Sequence, residues 1–360
     1  MKHILLLIVI ISKLTYANCS ENVDNTNIHY INGMFTNKES YNKNISELEF
    51  FSHNNLYNWN FTFDINSNGS WNQSESFLIQ FKQVALQKFT ELNVNKAVQE
   101  NISNTFSGFD TAPTSQQSAQ ETTDVMSAIL EEIHDTYYQD QTFQHAYSSV
   151  TKLLDECKRV VLIGHSQGNF YTNALLDNLY SSYQYPDGST LHDYRMLGYF
   201  GFALPTSSVG GYTGDQYPHL MGFITNDNDL IMAAIRYTIG ALPSNYDNDF
   251  SLSDFTGHSL IVSYLHKLGQ SNIAATNIRN IISQLYPPPI ADKNITYSSA
   301  MISYGYSKLS QVLDIKFFDS SVYRYLNVPY KEFELFVNSK SKGSFFNSSI
   351  KNIYPYVKIK

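Results

Sequence analysis

Residues 159–169, RVVLIGHSQGN, combine a continuous apolar run with a Gly-x-Ser-x-Gly pattern and the start of a segment with helical periodicity. A short uninterrupted apolar run is typical of a strand buried on both faces of a parallel sheet. Gly164 and Gly168 leave room for the strand to turn at once into a helix, which pushes Ser166 out at the sheet edge. The stretch therefore predicts a strand, a tight turn and a helix, with an exposed serine in the turn.

Similar apolar runs lie on both sides of this stretch and alternate with segments of helical periodicity. The predicted strands are Ile28 to Asn32, Asn60 to Ile65, Arg159 to Ile163, Leu197 to Ala203 and Leu220 to Thr225. The predicted helices are Lys38 to Phe51, Ser74 to Asn101, Ala119 to Glu156, Gln167 to Tyr183, Leu230 to Gly240 and Ser259 to Leu285. This alternation predicts an α/β fold with a parallel sheet flanked by helices. The polar stretch from Asn101 to Thr123 is interpreted as a loop or a mobile cover.

The composition excludes global disorder and indicates an electrostatically distinct tail. Of the 360 residues 42% are hydrophobic, which is ample for a packed core, and the net charge is −8. That sign excludes a protein that wraps nucleic acid as a whole. From Ala291 to Lys360, however, 10 basic and 5 acidic side chains give a net charge of +5.

The start of the chain has the pattern of a secretory signal peptide over residues 1–17. Lys2 and His3 precede an apolar run from Ile4 to Ile11, and Ala17 ends the segment. The run is too short to span a bilayer, so we expect a secreted or periplasmic protein without a permanent membrane span. In such a compartment Cys19 and Cys157 can pair, but the sequence does not show that they lie close together, and a buried unpaired Cys157 ahead of a strand is an equal alternative.

The pattern changes after Pro287-Pro288-Pro289, a stiff connector. Beyond it, Val312 to Phe317 and Val322 to Leu326 alternate with a period of two residues and predict a β-hairpin. We therefore predict a larger α/β domain over residues 18–286, a linker over 287–296 and a small α+β domain over 297–360.

A nucleophilic serine needs a histidine base and a carboxylate that orients it. In this architecture they follow the serine in the order Asp, then His. Asp229 is favoured over Asp227 because it directly precedes an apolar helix start, whereas Asp227 can cap or bend the turn. His258 is favoured over His266, since it lies in a loop and His266 lies within a predicted helix. The candidate catalytic residues are Ser166, Asp229 and His258.

Two backbone amides are candidates to stabilise the oxyanion. The N–H of Gln167 lies at the positive end of the predicted helix, and the amide of Met34 follows Gly33 after the first strand. A plain Asn-Gly turn remains an alternative explanation of that loop. His165 is expected to be a packing or surface residue. Metal-ligand spacing is absent from the sequence, and neither a metal nor a cofactor is predicted.

These residues resemble the α/β-hydrolase superfamily over about Asn27 to Leu285, and most closely its secreted bacterial lipases and esterases. The resemblance rests on Gly-His-Ser-Gln-Gly-Asn, Thr-Asn-x-x-Asp and a Gly-His pair. It implies Ser166 as nucleophile, Asp229 as acid and His258 as base. It also implies a compact α/β-hydrolase sheet, because the two leading strands of larger members are absent.

The segment from Ser298 to Lys360 resembles a different family, the KTSC domain. Its Tyr-x-Tyr pattern at Tyr323 and Tyr325, the Asn-Val-Pro after it and Ser-Lys-Gly-Ser-Phe-Phe-Asn carry the resemblance. The opening Ser-Ser-Ala-Met departs from the Lys-Thr-Ser-Cys that names the family. The resemblance implies RNA binding, for which Tyr323, Arg324 and Tyr325 are candidate contacts through base stacking and phosphate binding. Cross-strand packing of the two tyrosines is the alternative.

The leading functional hypothesis is a secreted serine hydrolase that cleaves carboxylic esters, with lipid or phospholipid esters as favoured substrates. Ser166 would form an acyl-enzyme, and His258 would move the proton to the leaving alcohol and then activate water. One alternative is an acyltransferase with the same triad. The other is a non-catalytic binding protein whose basic C-terminal domain binds RNA or another anionic polymer.

Overall fold

The computed structural model describes residues 22–33, 36–56, 66–72, 89, 92–96, 99, 141–185, 188–239, 241–248, 253–254 and 256–360. Several predicted features lie outside these residues. They are the signal peptide, Cys19, Met34, the strand from Asn60 to Ile65, most of the helix from Ser74 to Asn101, the polar stretch from Asn101 to Thr123 and the part of the helix from Ala119 to Glu156 that precedes Gln141.

The first part of the chain forms a five-stranded parallel sheet with helices between its strands. The elements are β1 (Thr26–Ile31), α1 (Lys38–Asn55), β2 (Asn66–Ser70), α2 (Gln141–Asp155), β3 (Arg159–His165), α3 (Gly168–Ser182), β4 (Leu197–Phe202), α4 (Gly211–Gln216), β5 (Met221–Ile224) and α5 (Leu230–Ile239). A short π-helical segment (Leu260–Leu265) and α6 (Leu268–Gln284) complete this part. The predicted α/β class and parallel sheet are confirmed.

The apolar run of β3 is continuous because both of its faces are covered. Val160 and Leu162 lie in the cluster that contains α2 and α3 side chains, whereas Val161 and Ile163 pack with residues of α1 and α6. Successive strand residues point to opposite faces, so each face needs its own apolar set. All four side chains are fully buried.

The strand β2 directly follows the predicted strand from Asn60 to Ile65, whose residues lie outside the described ones. It has the polar sequence Asn-Ser-Asn-Gly-Ser over Asn66–Ser70 and pairs with β1 alone, at the edge of the sheet. An edge strand is held by one ladder of hydrogen bonds and need not be apolar on both faces. At Gly69 an added Cβ would overlap with the carbonyl oxygen of Tyr30, so only glycine allows this close pairing.

The strand order β2-β1-β3-β4-β5 defines where ligands bind in a sheet of this kind. The chain leaves β1 for β2 on one side and then returns to place β3 on the other side of β1. In open α/β sheets the crevice at such a reversal, outside the carboxyl ends of the strands, is the usual ligand site. Here that crevice lies after Ile31 of β1 and after His165 of β3.

The C-terminal part is a separate five-stranded antiparallel sheet of order β10-β9-β8-β7-β6. Its elements are β6 (Asn294–Ile295), β7 (Ser303–Ser307), β8 (Val312–Lys316), β9 (Val322–Tyr325), α7 (Tyr330–Asn338), α8 (Lys342–Phe345) and β10 (Tyr356–Lys358). The predicted hairpin is present as β8 and β9, and the sheet packs with α7 around a core that includes Leu313, Ile315 and Phe336.

The two parts meet at the amino end of the parallel sheet. Arg159, the first residue of β3, is fully buried and donates to the carbonyl oxygens of Ile282 and Leu285 at the end of α6. It also donates to the hydroxyl of Ser307, the last residue of β7, at 3.2 Å and to that of Ser310, in the turn between β7 and β8, at 2.5 Å. The buried guanidinium of Arg159 therefore links the parallel sheet and the end of α6 to the antiparallel sheet.

None of the helices in the described part of the chain is long and apolar enough to cross a membrane.

Candidate active site

The turn between β3 and α3 places Ser166 in a strained backbone conformation. Its φ is 55°, in the left-handed region, and only 4% of the residue is exposed. A Cβ at Gly164 would overlap with the side chain of Asn169, and a Cβ at Gly168 would overlap with the carbonyl oxygen of Ile31. Both motif glycines are therefore required by close packing, and the serine between them takes the conformation that the turn dictates.

The surroundings of Ser166 contain one of the two predicted oxyanion donors. Gln167 is the N-cap residue of α3, and none of the described residues accepts a hydrogen bond from its backbone N–H. The loop after β1 lies directly against the serine, since a Cβ on Gly33 would be 2.7 Å from the Ser166 Cβ and 3.3 Å from its Oγ. Met34, the other predicted donor, is the next residue of that loop and lies outside the described residues.

Three side-chain amides fill the space behind this turn. Asn32, after β1, accepts from the backbone N–H of Asn72 at 2.8 Å and donates to its carbonyl oxygen at 3.1 Å. The side chain of Asn72 donates to Oε1 of Gln167 at 3.1 Å. These bonds tie the ends of β1 and β2 to the residue that follows the serine.

Asp229 and His258 form the acid and base pair that the sequence predicts. Nδ1 of His258 lies 2.8 Å from Oδ2 and 3.0 Å from Oδ1 of Asp229, which is fully buried. A carboxylate only accepts, so the proton lies on Nδ1 and the lone pair of Nε2 is free to take another proton. Asp229 also accepts from the backbone N–H of Met232 at 2.9 Å, which caps α5 and fixes the carboxylate.

Electrostatics favour the protonated form of His258. Burial lowers its pKa, but the charge and hydrogen bond of Asp229, together with the charge of Asp254, outweigh burial and raise the pKa above 6.5. A base of this kind accepts a proton more readily than a free histidine.

Tyr264 is a member of the site that sequence reasoning missed. Its hydroxyl donates to Oδ2 of Asp229 at 3.0 Å and accepts from the backbone N–H of Asn226 at 3.2 Å. The predicted single helix from Ser259 to Leu285 is instead split after the π-helical segment, and this segment carries the tyrosine. Its role depends on that local irregularity, for which the sequence carries no recognised signal.

Asp254 holds the loop of the base rather than the base itself. Its carboxylate accepts from the backbone N–H of Ser259 at 2.8 Å, the hydroxyl of Ser263 at 2.6 Å and the hydroxyl of Thr256 at 2.7 Å. Burial raises the pKa of Asp254, but these hydrogen bonds outweigh it and the pKa falls below 3.8.

The two residues that the sequence disfavoured have other partners. Asp227 is exposed and accepts from the backbone N–H of Asn248 at 2.8 Å, as expected of a residue that bends the turn. His266 is exposed and pairs with Glu47 at 2.8 Å. His165, expected to pack or lie at the surface, is buried, and its Nε2 lies 2.8 Å from the carbonyl oxygen of His258.

The candidate ligand residues of the C-terminal domain do not form an exposed basic surface. Arg324 is fully buried and donates to both carboxylate oxygens of Asp314 at 2.7 Å, and to the carbonyl oxygens of Pro287 and Pro288. Burial lowers its pKa, but the charge and hydrogen bonds of Asp314 outweigh burial and raise the pKa above the ordinary value of an arginine. Its guanidinium therefore contacts the linker instead of an external phosphate.

The two tyrosines beside Arg324 contact other aromatic rings. Tyr325 is 3% exposed and packs edge-on against Phe346, and Tyr323 is half-buried against Phe317. Tyr356 of β10 contacts both tyrosines and is itself 53% exposed. This arrangement fits the packing alternative for Tyr323 and Tyr325.

Within the described ranges, no group of three or more His, Cys, Asp or Glu side chains is placed to hold a metal ion. The site described above is built from main-chain amides and from serine, histidine, aspartate, tyrosine, asparagine and glutamine side chains.

Comparisons with known proteins identify the C-terminal domain. No curated protein matches the chain. Among solved structures, the crystal structure of a KTSC domain protein from Yersinia pestis is 34% identical, with a TM-score of 0.18, and the match covers 19% of this chain and 94% of that chain. The family model of the KTSC domain matches residues 297–354. The C-terminal domain of this chain, which the sequence motifs predict, is therefore a KTSC domain.

Proposed function

We propose that the larger domain is a serine hydrolase of the α/β-hydrolase type that cleaves carboxylic esters. The observation that carries the proposal is the Asp229–His258 pair, whose loop is hydrogen-bonded to the turn that holds Ser166 in a left-handed conformation. A strained serine after a buried strand, a histidine with a free Nε2 and a buried carboxylate are the components of a nucleophilic triad.

The fold supports the same proposal. Ser166 follows β3 and Asp229 follows β5, at the carboxyl side of one parallel sheet, and His258 lies at the same side because it is hydrogen-bonded to Asp229 and to His165. Gly33 and Ser166 meet at the strand-order reversal between β1 and β3, where a ligand crevice is expected. A sheet of five strands agrees with the compact hydrolase that the sequence resemblance implies.

The chemistry follows from the proton positions. Ser166 Oγ attacks the ester carbonyl and passes its proton to Nε2 of His258, while Asp229 stabilises the resulting imidazolium. The N–H of Gln167, and that of Met34 by the sequence argument, donate to the oxyanion. The imidazolium then protonates the leaving alcohol, and water activated by His258 hydrolyses the acyl-enzyme.

An oxidising compartment and an apolar substrate complete the proposal. Cys157 is disulfide-bonded, which supports secretion or a periplasmic location because such bonds persist in oxidising compartments.

Leu230 and Ile231, which follow Asp229 directly, are 61% and 38% exposed. Apolar side chains beside the acid favour an ester with an apolar acyl group, such as a lipid or phospholipid.

The test is covalent labelling of the mature protein with a fluorophosphonate probe, followed by mass spectrometry of the adduct. We expect label on Ser166 in the wild type, none there in Ser166→Ala, and strongly slowed labelling in Asp229→Asn and His258→Ala. A folded wild-type protein that takes no label at Ser166 would overturn the proposal. An ester series with added alcohols then separates hydrolysis from acyl transfer, because a transferase forms the new ester.

A further inference from the structure

His165 connects the turn of the nucleophile to the loop of the base. It is the last residue of β3 and the direct neighbour of Ser166, and its Nε2 lies 2.8 Å from the backbone carbonyl oxygen of His258. A carbonyl oxygen can only accept, so Nε2 of His165 carries the proton and donates it. One hydrogen bond therefore spans from the residue before the nucleophile to the backbone of the base.

The environment keeps His165 neutral. Burial, and secondly the neighbouring His258, lower the pKa of His165 to about 3. Its hydrogen bond to His258 and the charges of Asp229 and Asp254 act in the opposite direction and are outweighed, and Tyr264 packs edge-on against its ring. The centroids of the two imidazole rings are 4.9 Å apart. Because His165 stays neutral, it lies beside the base without competing for its proton.

The other contacts of the His258 loop act elsewhere. Asp254 bonds residues on either side of His258, and Asp229 holds the imidazole. The backbone N–H of His258 has only a long contact, 3.4 Å, to the hydroxyl of Thr256 within the same loop. Among the described residues, His165 provides the hydrogen bond from outside the loop to the backbone of His258.

We propose that His165 is a positioning residue: its hydrogen bond to the His258 carbonyl sets the place of the base relative to Ser166. The inference rests on the proposed function, because the position of His258 matters for catalysis only if it serves Ser166. Small displacements of a catalytic group have large effects on rate, so loss of this bond should reduce kcat while substrate binding is kept.

Two amide variants make a matched pair. Gln places its Nε2 as many bonds from Cβ as the Nε2 of histidine, and Asn falls one bond short, so His165→Gln keeps the donor in reach and His165→Asn does not. We expect His165→Asn to lose roughly ten- to hundredfold in kcat and in labelling rate at Ser166, with KM unchanged. We expect His165→Gln to stay close to the wild type.

An NMR titration of the His258 ring tests the connection without any chemistry at Ser166. In the wild type and in His165→Gln, the pKa of His258 should lie above 6.5, because Asp229 holds the ring. In His165→Asn the loop is released from the nucleophile turn, so the contact between His258 and Asp229 should loosen. Because Asp229 raises the pKa of His258, that pKa should then fall towards 6.5. The alkaline rise of the labelling rate, which follows deprotonation of His258, should then shift to lower pH.

The outcomes separate the two proposals. Absence of label in the wild type overturns the proposed function, while the titration still decides whether His165 holds the base loop. Labelling of His165→Asn at the wild-type rate overturns the positioning role. Equal losses in both variants also overturn it, because a donor kept in reach should preserve the rate.

Discussion

The left-handed conformation of Ser166 stores strain in a single residue. Such a conformation costs an L-residue with a Cβ roughly 1–2 kcal/mol, whereas glycine adopts it freely. We therefore expect Ser166→Gly to have a free energy of unfolding about 1 kcal/mol higher than Ser166→Ala. Both variants lack the hydroxyl and should resist the fluorophosphonate probe. Equal denaturation midpoints for the two variants would contradict the strain.

Residue identities could be predicted from the sequence where a local motif encodes them. Ser166, Asp229 and His258 follow from a five-residue pattern, a strand end and a loop histidine, and the structure pairs the last two. Tyr264 and His165 could not be predicted in the same way. Both act through hydrogen bonds between distant parts of the chain, to Asp229 and to the His258 carbonyl, which exist only in the folded backbone.

Among the elements, α3 is pressed against the end of β1. At Gly168 an added Cβ would overlap with the backbone carbonyls of Ile31 and Asn32, so the helix would have to shift away from the strand. We expect Gly168→Ala to lower the free energy of unfolding by roughly 1–3 kcal/mol and to slow labelling of Ser166, since the displaced helix carries the Gln167 amide.

A matched control is available at Gly188. Its φ is +84° and no atom of the described residues lies within 4 Å of an added Cβ, so alanine there is strained but does not overlap with any of them. Gly188→Ala should cost about 1 kcal/mol from its backbone conformation and leave labelling unchanged. If denaturant unfolding shows the same loss for both variants, overlap at Gly168 is not the cause.

The strands of the sheet interior were easier to predict than its edge. β1, β3 and β4 pair on both sides and are covered by helices on their faces, which requires the apolar runs that the prediction used. β5 lies at the opposite edge from β2 but was still found, because its sequence is apolar. β2 pairs on one side only and is polar, so an apolar criterion does not find it. The split of the last helix before Leu268 likewise depends on tertiary contacts of Tyr264 rather than on its periodicity.

At the level of the whole molecule, Arg324 joins the KTSC domain to the linker through buried contacts. Its removal leaves the buried Asp314 carboxylate without its charge partner, which typically costs 3–5 kcal/mol, so we expect about this loss for Arg324→Met. Adding Asp314→Asn should restore part of the loss, because neither charge is then left alone. Denaturant unfolding of the three proteins measures both effects. An Arg324→Met protein as stable as the wild type would contradict the stabilising role of the guanidinium. A role of Arg324 as a ligand contact would then have to be considered again.

The buried contacts of Arg159 have a consequence for how the molecule is oriented. They fasten the KTSC domain at the first residue of β3, and Ser166 follows the last residue of the same strand. A strand of seven residues is roughly 23 Å long, so the contacts of Arg159 and the residue Ser166 lie at opposite ends of β3. An attachment through the KTSC domain, for example to a coated bead, would therefore leave the end of β3 that carries Ser166 on the side of the molecule away from the attachment.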